Sequence, residues 1–238
     1  MRRRTLSVKR PFAAGGIRFP RPSFIGLLCT ALLVASLPVC AQSVESALAR
    51  SRYSQDHKVT IITLFTETAE SDIPTDLLLP KLEEGIAKGI PAPRVLGALR
   101  REAENLMQAR ALMLHSEEGK RLLADPASWA RTANLMAVGV SIEEIEELIA
   151  LCNRRIEGFR PATYLYVALL EWGLGRKPAL DLIGPLLVSS IPPDSYMGVM
   201  DLLAGGRRRR IPPEELVPRI QRHLEHANSI KELEKWIY

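Results

Sequence analysis

The sequence predicts an all-α protein: an irregular, α-solenoid-like stack of antiparallel helical hairpins behind an N-terminal signal peptide. Three observations carry that expectation. The chain starts basic, turns apolar and ends that stretch at a small-residue site; a helix-entrance phrase then recurs; and glycines follow the apolar-periodic segments.

Arg2, Arg3, Arg4, Lys9, Arg10, Arg18 and Arg21 precede an apolar run from Phe24 to Val39, and Val39-Cys40-Ala41 stands ahead of Gln42. Small side chains at positions minus three and minus one suit the narrow pocket of a signal peptidase, so residues 1–41 read as a leader cut after Ala41. An uncleaved anchor is the alternative, but the run is short of the ~20 residues that span a bilayer and is broken by Ser36 and Pro38. Lipid on Cys40 is a third reading, in which Val39 stands where Gly, Ala or Ser is usual. Arg3-Arg4 hints at twin-arginine export, yet the apolar core begins far beyond the pair, which favours the general secretory route. The mature chain is thus expected in the periplasm or outside the cell, with membrane contact only through an uncleaved leader or a lipidated Cys40.

Removing the leader changes the composition. It holds seven Lys or Arg and no acid, so the formal net charge falls from +5 to −2, and the case for nucleic-acid binding goes with it. Of Cys29, Cys40 and Cys152 only Cys152 remains, which leaves no internal disulfide. Residues 42–238, expected as one helical domain, are enough to be held by a core alone.

The entrance phrase is an apolar residue, then Pro or Ser, then another apolar residue five positions after the first. It occurs at Ile73-Pro74 with Leu78, Ile90-Pro91 with Val95, Val140-Ser141 with Ile145, Ile191-Pro192 with Tyr196, and Ile211-Pro212 with Leu216. Phe159 and Tyr164 around Pro161 share the spacing. Pro is tolerated in a first helical turn, where its missing N–H has no intrahelical partner anyway, and the apolar pair forms a hydrophobic staple. Ser141 with Glu144 makes a full capping box, and Asp125-Pro126 and Ser229 with Glu232 mark two more starts. Gly89, Gly139, Gly175 and Gly205-Gly206 are the expected stops.

These signals predict helices over residues 44–56, 58–71, 75–88, 92–118, 126–138, 142–158, 161–173, 178–188, 193–204, 213–226 and 229–237. The β-branched Val59-Thr60-Ile61-Ile62-Thr63 could be a strand, but no second such run exists to pair its backbone, so a helix is expected there. The staples recur at separations of 17, 50, 51 and 20 residues. That irregularity speaks against a regular solenoid of the tetratricopeptide type, whose roughly 34-residue repeat and Trp/Gly/Tyr signature are absent.

Arg207, Arg208, Arg209 and Arg210 form the loudest polar feature: four guanidinium groups expected on an exposed loop, where they would bind a protein or an anionic envelope component. The competing reading is a solvated interhelical loop offset by Glu214 and Glu215. His223 and His226 could share a helix face, but they lack a third ligand and the zincin spacing, so no metal is expected. Glu143, Glu144, Glu146 and Glu147 suit the start of a helix dipole, and Cys152 completes the apolar stripe of Ile145, Leu148 and Ile149 as a buried thiol. Trp129, Trp172, Tyr164, Tyr166 and Phe159 read as core, with Phe159-Arg160-Pro161 and Trp172-Gly173 as candidate groove walls. No G-x-S-x-G, Gly-rich phosphate loop or Cys-x-x-Cys occurs. The expected function is that of an exported binding or adaptor protein without a cofactor; the alternative is an envelope-polymer hydrolase using acids from separate helices.

Overall fold

In a computed structural model, the structure describes residues 38–238, with side chains from Ser43 onward. Residues 1–37, with the basic stretch and most of the apolar run of the expected leader, lie outside the described residues. Twelve α-helices and no strand occur among the described residues. They are α1 Pro38–Ala49, α2 Gln55–Glu70, α3 Leu79–Ala87, α4 Ala92–Met113, α5 Glu117–Leu123 and α6 Pro126–Ala137. There follow α7 Ile142–Leu151, α8 Phe159–Glu171, α9 Arg176–Val188, α10 Gly198–Arg208, α11 Pro213–Leu224 and α12 Ile230–Ile237. Residues 40–238 cluster as one compact unit.

Helix starts follow local chemistry closely. Ser141 Oγ accepts from the Glu144 N–H while Glu144 Oε2 accepts from the Ser141 N–H at 2.9 Å, closing the capping box. Asp125 caps α6 and Ser229 caps α12. The β-branched run at 59–63 lies inside α2, capped by Ser54, whose hydroxyl accepts from the His57 N–H.

The entrance phrase turns out to be an exit as well. Ile73, Ile90, Val140, Leu174 and Ile211 each donate their N–H to the carbonyl five residues back, the long bond of a Schellman motif, and each follows a residue with positive φ. At four of the five entrance phrases, then, the residue whose N–H closes one helix directly precedes the Pro or Ser that caps the next. Gly89 (φ 64°) and Gly139 (φ 85°) supply the left-handed residue as expected, but Gly173 (φ 94°) does so in place of Gly175, which instead precedes α9. At the first and last of these sites the left-handed residues are Asp72 and Arg210.

Several boundaries differ from the sequence expectation. The segment 92–118 is two helices, because Ser116 caps a new one by accepting from the Gly119 N–H at 3.0 Å. The segment 142–158 stops at Leu151 and continues as two 3-10 turns on either side of a non-helical Arg155. Arg155 is retained there because its guanidinium donates to the carbonyls of Ser189 and Ile191 at 2.9 and 2.8 Å. The pair Phe159 and Tyr164 is not a staple: Phe159 is buried at the start of α8, whereas Tyr164 is half exposed over the guanidinium of Arg131, 4.0 Å from its ring centre. Arg131 itself is buried, donating to Thr163 Oγ1 and Thr163 O. Burial pulls its guanidinium below the usual range, against the opposing influence of Tyr164.

Packing joins many helices to the next but one. α2 packs on α4, α4 on α6, α6 on α8, α8 on α10 and α10 on α12, while α5 packs on α7, α7 on α9 and α9 on α11. The core runs through these contacts from Val44 to Ile237. Trp129 and Tyr166 belong to it, Trp129 donating its indole N–H to the Leu106 carbonyl at 2.8 Å. Cys152 is fully buried too, and burial, reinforced by Glu157, pushes its thiol up to about 12.

Candidate functional site

The four arginines are not on a loop. Gly205 and Gly206 lie buried inside α10, Arg207 and Arg208 complete its last turn, and Arg209 is the C-cap. The glycine pair serves close packing rather than flexibility. A Cβ on Gly206 would stand 2.2 Å from Leu216 Cδ2, and one on Gly205 would stand 2.8 Å from Tyr238 Oη. Arg210 then ends the helix at φ 62°, a conformation that costs an L-residue about 1–2 kcal/mol and that glycine adopts freely. Cations at a helix C-terminus are favoured by its dipole.

All four side chains are exposed, and among the described residues none of them has a carboxylate partner. Glu215, expected to offset them, pairs with Arg219 instead. Two of the guanidinium groups are held against rings. Arg209 lies 3.9 Å from the centre of Tyr238, and Arg207 lies 5.6 Å from that of Trp172. Tyr238 is anchored in turn, its hydroxyl donating to the Leu202 carbonyl, and burial raises its phenol above the ordinary value despite Arg209. Stacking fixes the plane of a guanidinium and leaves its edge N–H groups able to reach an anion.

Trp172 is the hinge between this basic helix end and a groove. On one side lies a cavity of about 410 Å³ between the α8–α9 turn, α9 and the start of α11. Its walls include Trp172, Gly173, Pro178, Pro213 and Pro218, with the exposed carboxylates Asp181 and Glu214 in the same lining. On the other side, a cavity of about 270 Å³ is lined by Trp172, Leu203, Arg207, Ile211, Pro213 and Leu216. The two adjoin at Trp172 and Pro213. Local sequence places these walls: Gly173 turns the chain after α8, and Pro213 occupies the first turn of α11, where proline is tolerated.

Of the groove walls suggested by sequence, Trp172-Gly173 stands in the groove, whereas Phe159 is sealed in the core. The Arg207–Trp172 and Arg209–Tyr238 stacks were beyond sequence reasoning; a run of arginines after a buried glycine pair is the only local hint of them. His223 rests against Trp236, with ring centres 5.7 Å apart, and His226 lies past the end of α11, so the two do not share a helix face. Among the described residues no group of three His, Cys, Asp or Glu side chains is placed to hold a metal.

Of the four glutamates at the start of α7, Glu144 alone is buried. It accepts from the Tyr166 hydroxyl of α8 and pairs with Arg176 Nε at 3.3 Å, at the start of α9. Burial acts to raise its pKa, but Tyr166, Ser141 and Arg176 outweigh that and hold it below the ordinary carboxylate value. Its oxygens are committed to joining helices. No family model, curated protein or solved structure matches the chain.

Proposed function

We propose that this is an exported helical binding protein, an adaptor of the cell envelope, whose contact surface is the basic end of α10 together with the groove at Trp172. The observation that carries the reading is the state of Arg207–Arg210: four guanidinium groups without a carboxylate partner among the described residues, two of them stacked on aromatic faces. Arg155 and Arg176, by contrast, are tied into the fold by carbonyls or a carboxylate. A preorganised cluster of unpaired ones suits a protein or polymer bearing carboxylate or phosphate. The next-but-one packing supports a solenoid-like stack of hairpins, an architecture that offers long surfaces to partners.

The same proposal makes residues 1–41 an export leader removed after Ala41. The buried anchors of α1, Val44, Ala47 and Leu48, all lie beyond that cut. Intact mass of the protein recovered from the envelope should place Gln42 first; a mass that retains residues 1–41, or adds lipid at Cys40, contradicts it.

Replacing Arg207, Arg208, Arg209 and Arg210 together by Ser should abolish low-salt retention on immobilised dextran sulfate. Exposed cation–π contacts are worth about 0.5–1 kcal/mol each, so the loss of stability should stay near 1–2 kcal/mol. Retention of the unaltered protein should fall as salt rises. Unchanged retention of the variant would remove this surface from the proposal, and global unfolding would assign the arginines to the fold.

A further inference from the structure

The groove at Trp172 is polarised. Its larger half carries Asp181 and Glu214, its smaller half carries Arg207, and Arg208, Arg209 and Arg210 follow Arg207 in the chain. Between the charges the walls are apolar and stiff: Trp172, Pro178, Pro213 and Pro218. Backbone is also accessible there. Gly173 and Gly175 line the groove without side chains, and Pro218, inside α11, has no N–H to give the carbonyl of Glu214 four residues earlier.

A groove with apolar walls, two carboxylates in one half and an arginine in the other does not match a uniformly anionic surface. A bilayer of acidic lipid would meet the arginines but would be repelled by Asp181 and Glu214, and a flat headgroup layer does not reach a half-buried Trp172. An extended polypeptide meets every feature at once: a side chain for the pocket, an N–H for the carbonyl, and charges of either sign in a set order.

We infer that the groove binds an extended segment of a partner protein, with an apolar residue against Trp172, acidic residues toward Arg207, and a basic residue toward Asp181 and Glu214. This rests on the binding role proposed above and adds the partner's chemistry and direction. Arg207 is the central residue, since it both lines the groove and stacks on Trp172.

The test is fluorescence anisotropy of the mature-length protein with a labelled synthetic peptide, KKGPFPGDDE, beside versions with Phe changed to Ser and with the three acids changed to Ser. Phosphatidylglycerol vesicles and dextran sulfate are measured in parallel. The KKGPFPGDDE peptide should bind; either peptide change, or Arg207→Gln in the protein, should weaken binding about tenfold, as expected for the loss of a charge-assisted contact or a buried apolar anchor. Glu214→Gln should weaken it about threefold while leaving dextran sulfate retention unchanged. Trp172→Phe, which keeps a ring in place, should weaken the peptide but not the polymer. If the polymer binds and no peptide does, the groove inference fails and the basic surface stands. Vesicle binding that depends on Arg207, without peptide binding, replaces the polypeptide by a lipid surface. If neither polymer nor peptide binds, both readings fall.

Discussion

Gly119→Ala should destabilise the protein by about 3 kcal/mol or more, the range of forced overpacking, and lower Tm by roughly 6–12 °C for a chain of this size. The new Cβ would lie 2.2 Å from the carbonyl oxygen of Met113 and 2.8 Å from its carbonyl carbon and Cα. All three are backbone atoms at the end of α4, so no side chain can swing aside. The clash is relieved only by moving α5 off α4, which also pulls Gly119 N–H away from Ser116 Oγ. Gly97→Ala is the matched control: it sits within α4 with only Arg101 Nη1 near, at 3.8 Å, and should gain about 0.5–1 kcal/mol from helix propensity. Calorimetric melts of the two variants check the claim, and equal shifts would refute the close approach of α5 to α4.

Glu144→Ala should cost about 2–4 kcal/mol, combining a lost cap with a buried hydroxyl left without its acceptor. Glu144 joins α7, α8 and α9: Ser141 N–H, the fully buried Tyr166 hydroxyl and Arg176 all converge on it. Glu144→Gln keeps an acceptor for Tyr166 and should lose less. The two also differ in acid. Because the folded-state pKa of Glu144 lies below its ordinary value, its carboxylate contributes fully above that ordinary value and loses the contribution as pH falls through the lower, folded one. The stability gap between the unaltered protein and Glu144→Gln should therefore be constant near neutrality and narrow in acid. A gap that does not change with pH would mean that the carboxylate is not held ionised by these partners.

Much of the helical pattern was legible because helix ends obey rules that act within a few residues. Ser141 with Glu144, Asp125 with Pro126, and Ser229 with Glu232 are complete capping signals, and each starts a helix. Gly89 and Gly139 were readable as stops because glycine is the residue that takes positive φ at no cost. Asp72 and Arg210 stop helices in the same conformation but carry no such mark. The break at Ser116 was legible in principle, since Ser-Glu-Glu is a start signal, but it was hidden inside a long periodic segment.

The candidate site was legible only in its parts. Arg207–Arg210 and Trp172-Gly173 stood out separately, but nothing within a few residues of either indicates that they meet. Gly205-Gly206 was misread for a related reason: glycine allows both a turn and a close helix contact, and which one applies depends on Leu216 and Tyr238, elsewhere in the chain.

The sequence by itself determined that the chain is helical, where most helices begin, and that Cys152 belongs to a core stripe, because hydrogen bonds and side-chain faces within one or two turns decide these. Tertiary structure alone decided that α10 runs through its glycines, that Glu144 serves three helices, and that an arginine from α10 covers the tryptophan after α8. These depend on which surfaces pack together, and packing is chosen by the shape of the whole core rather than by any local run of residues.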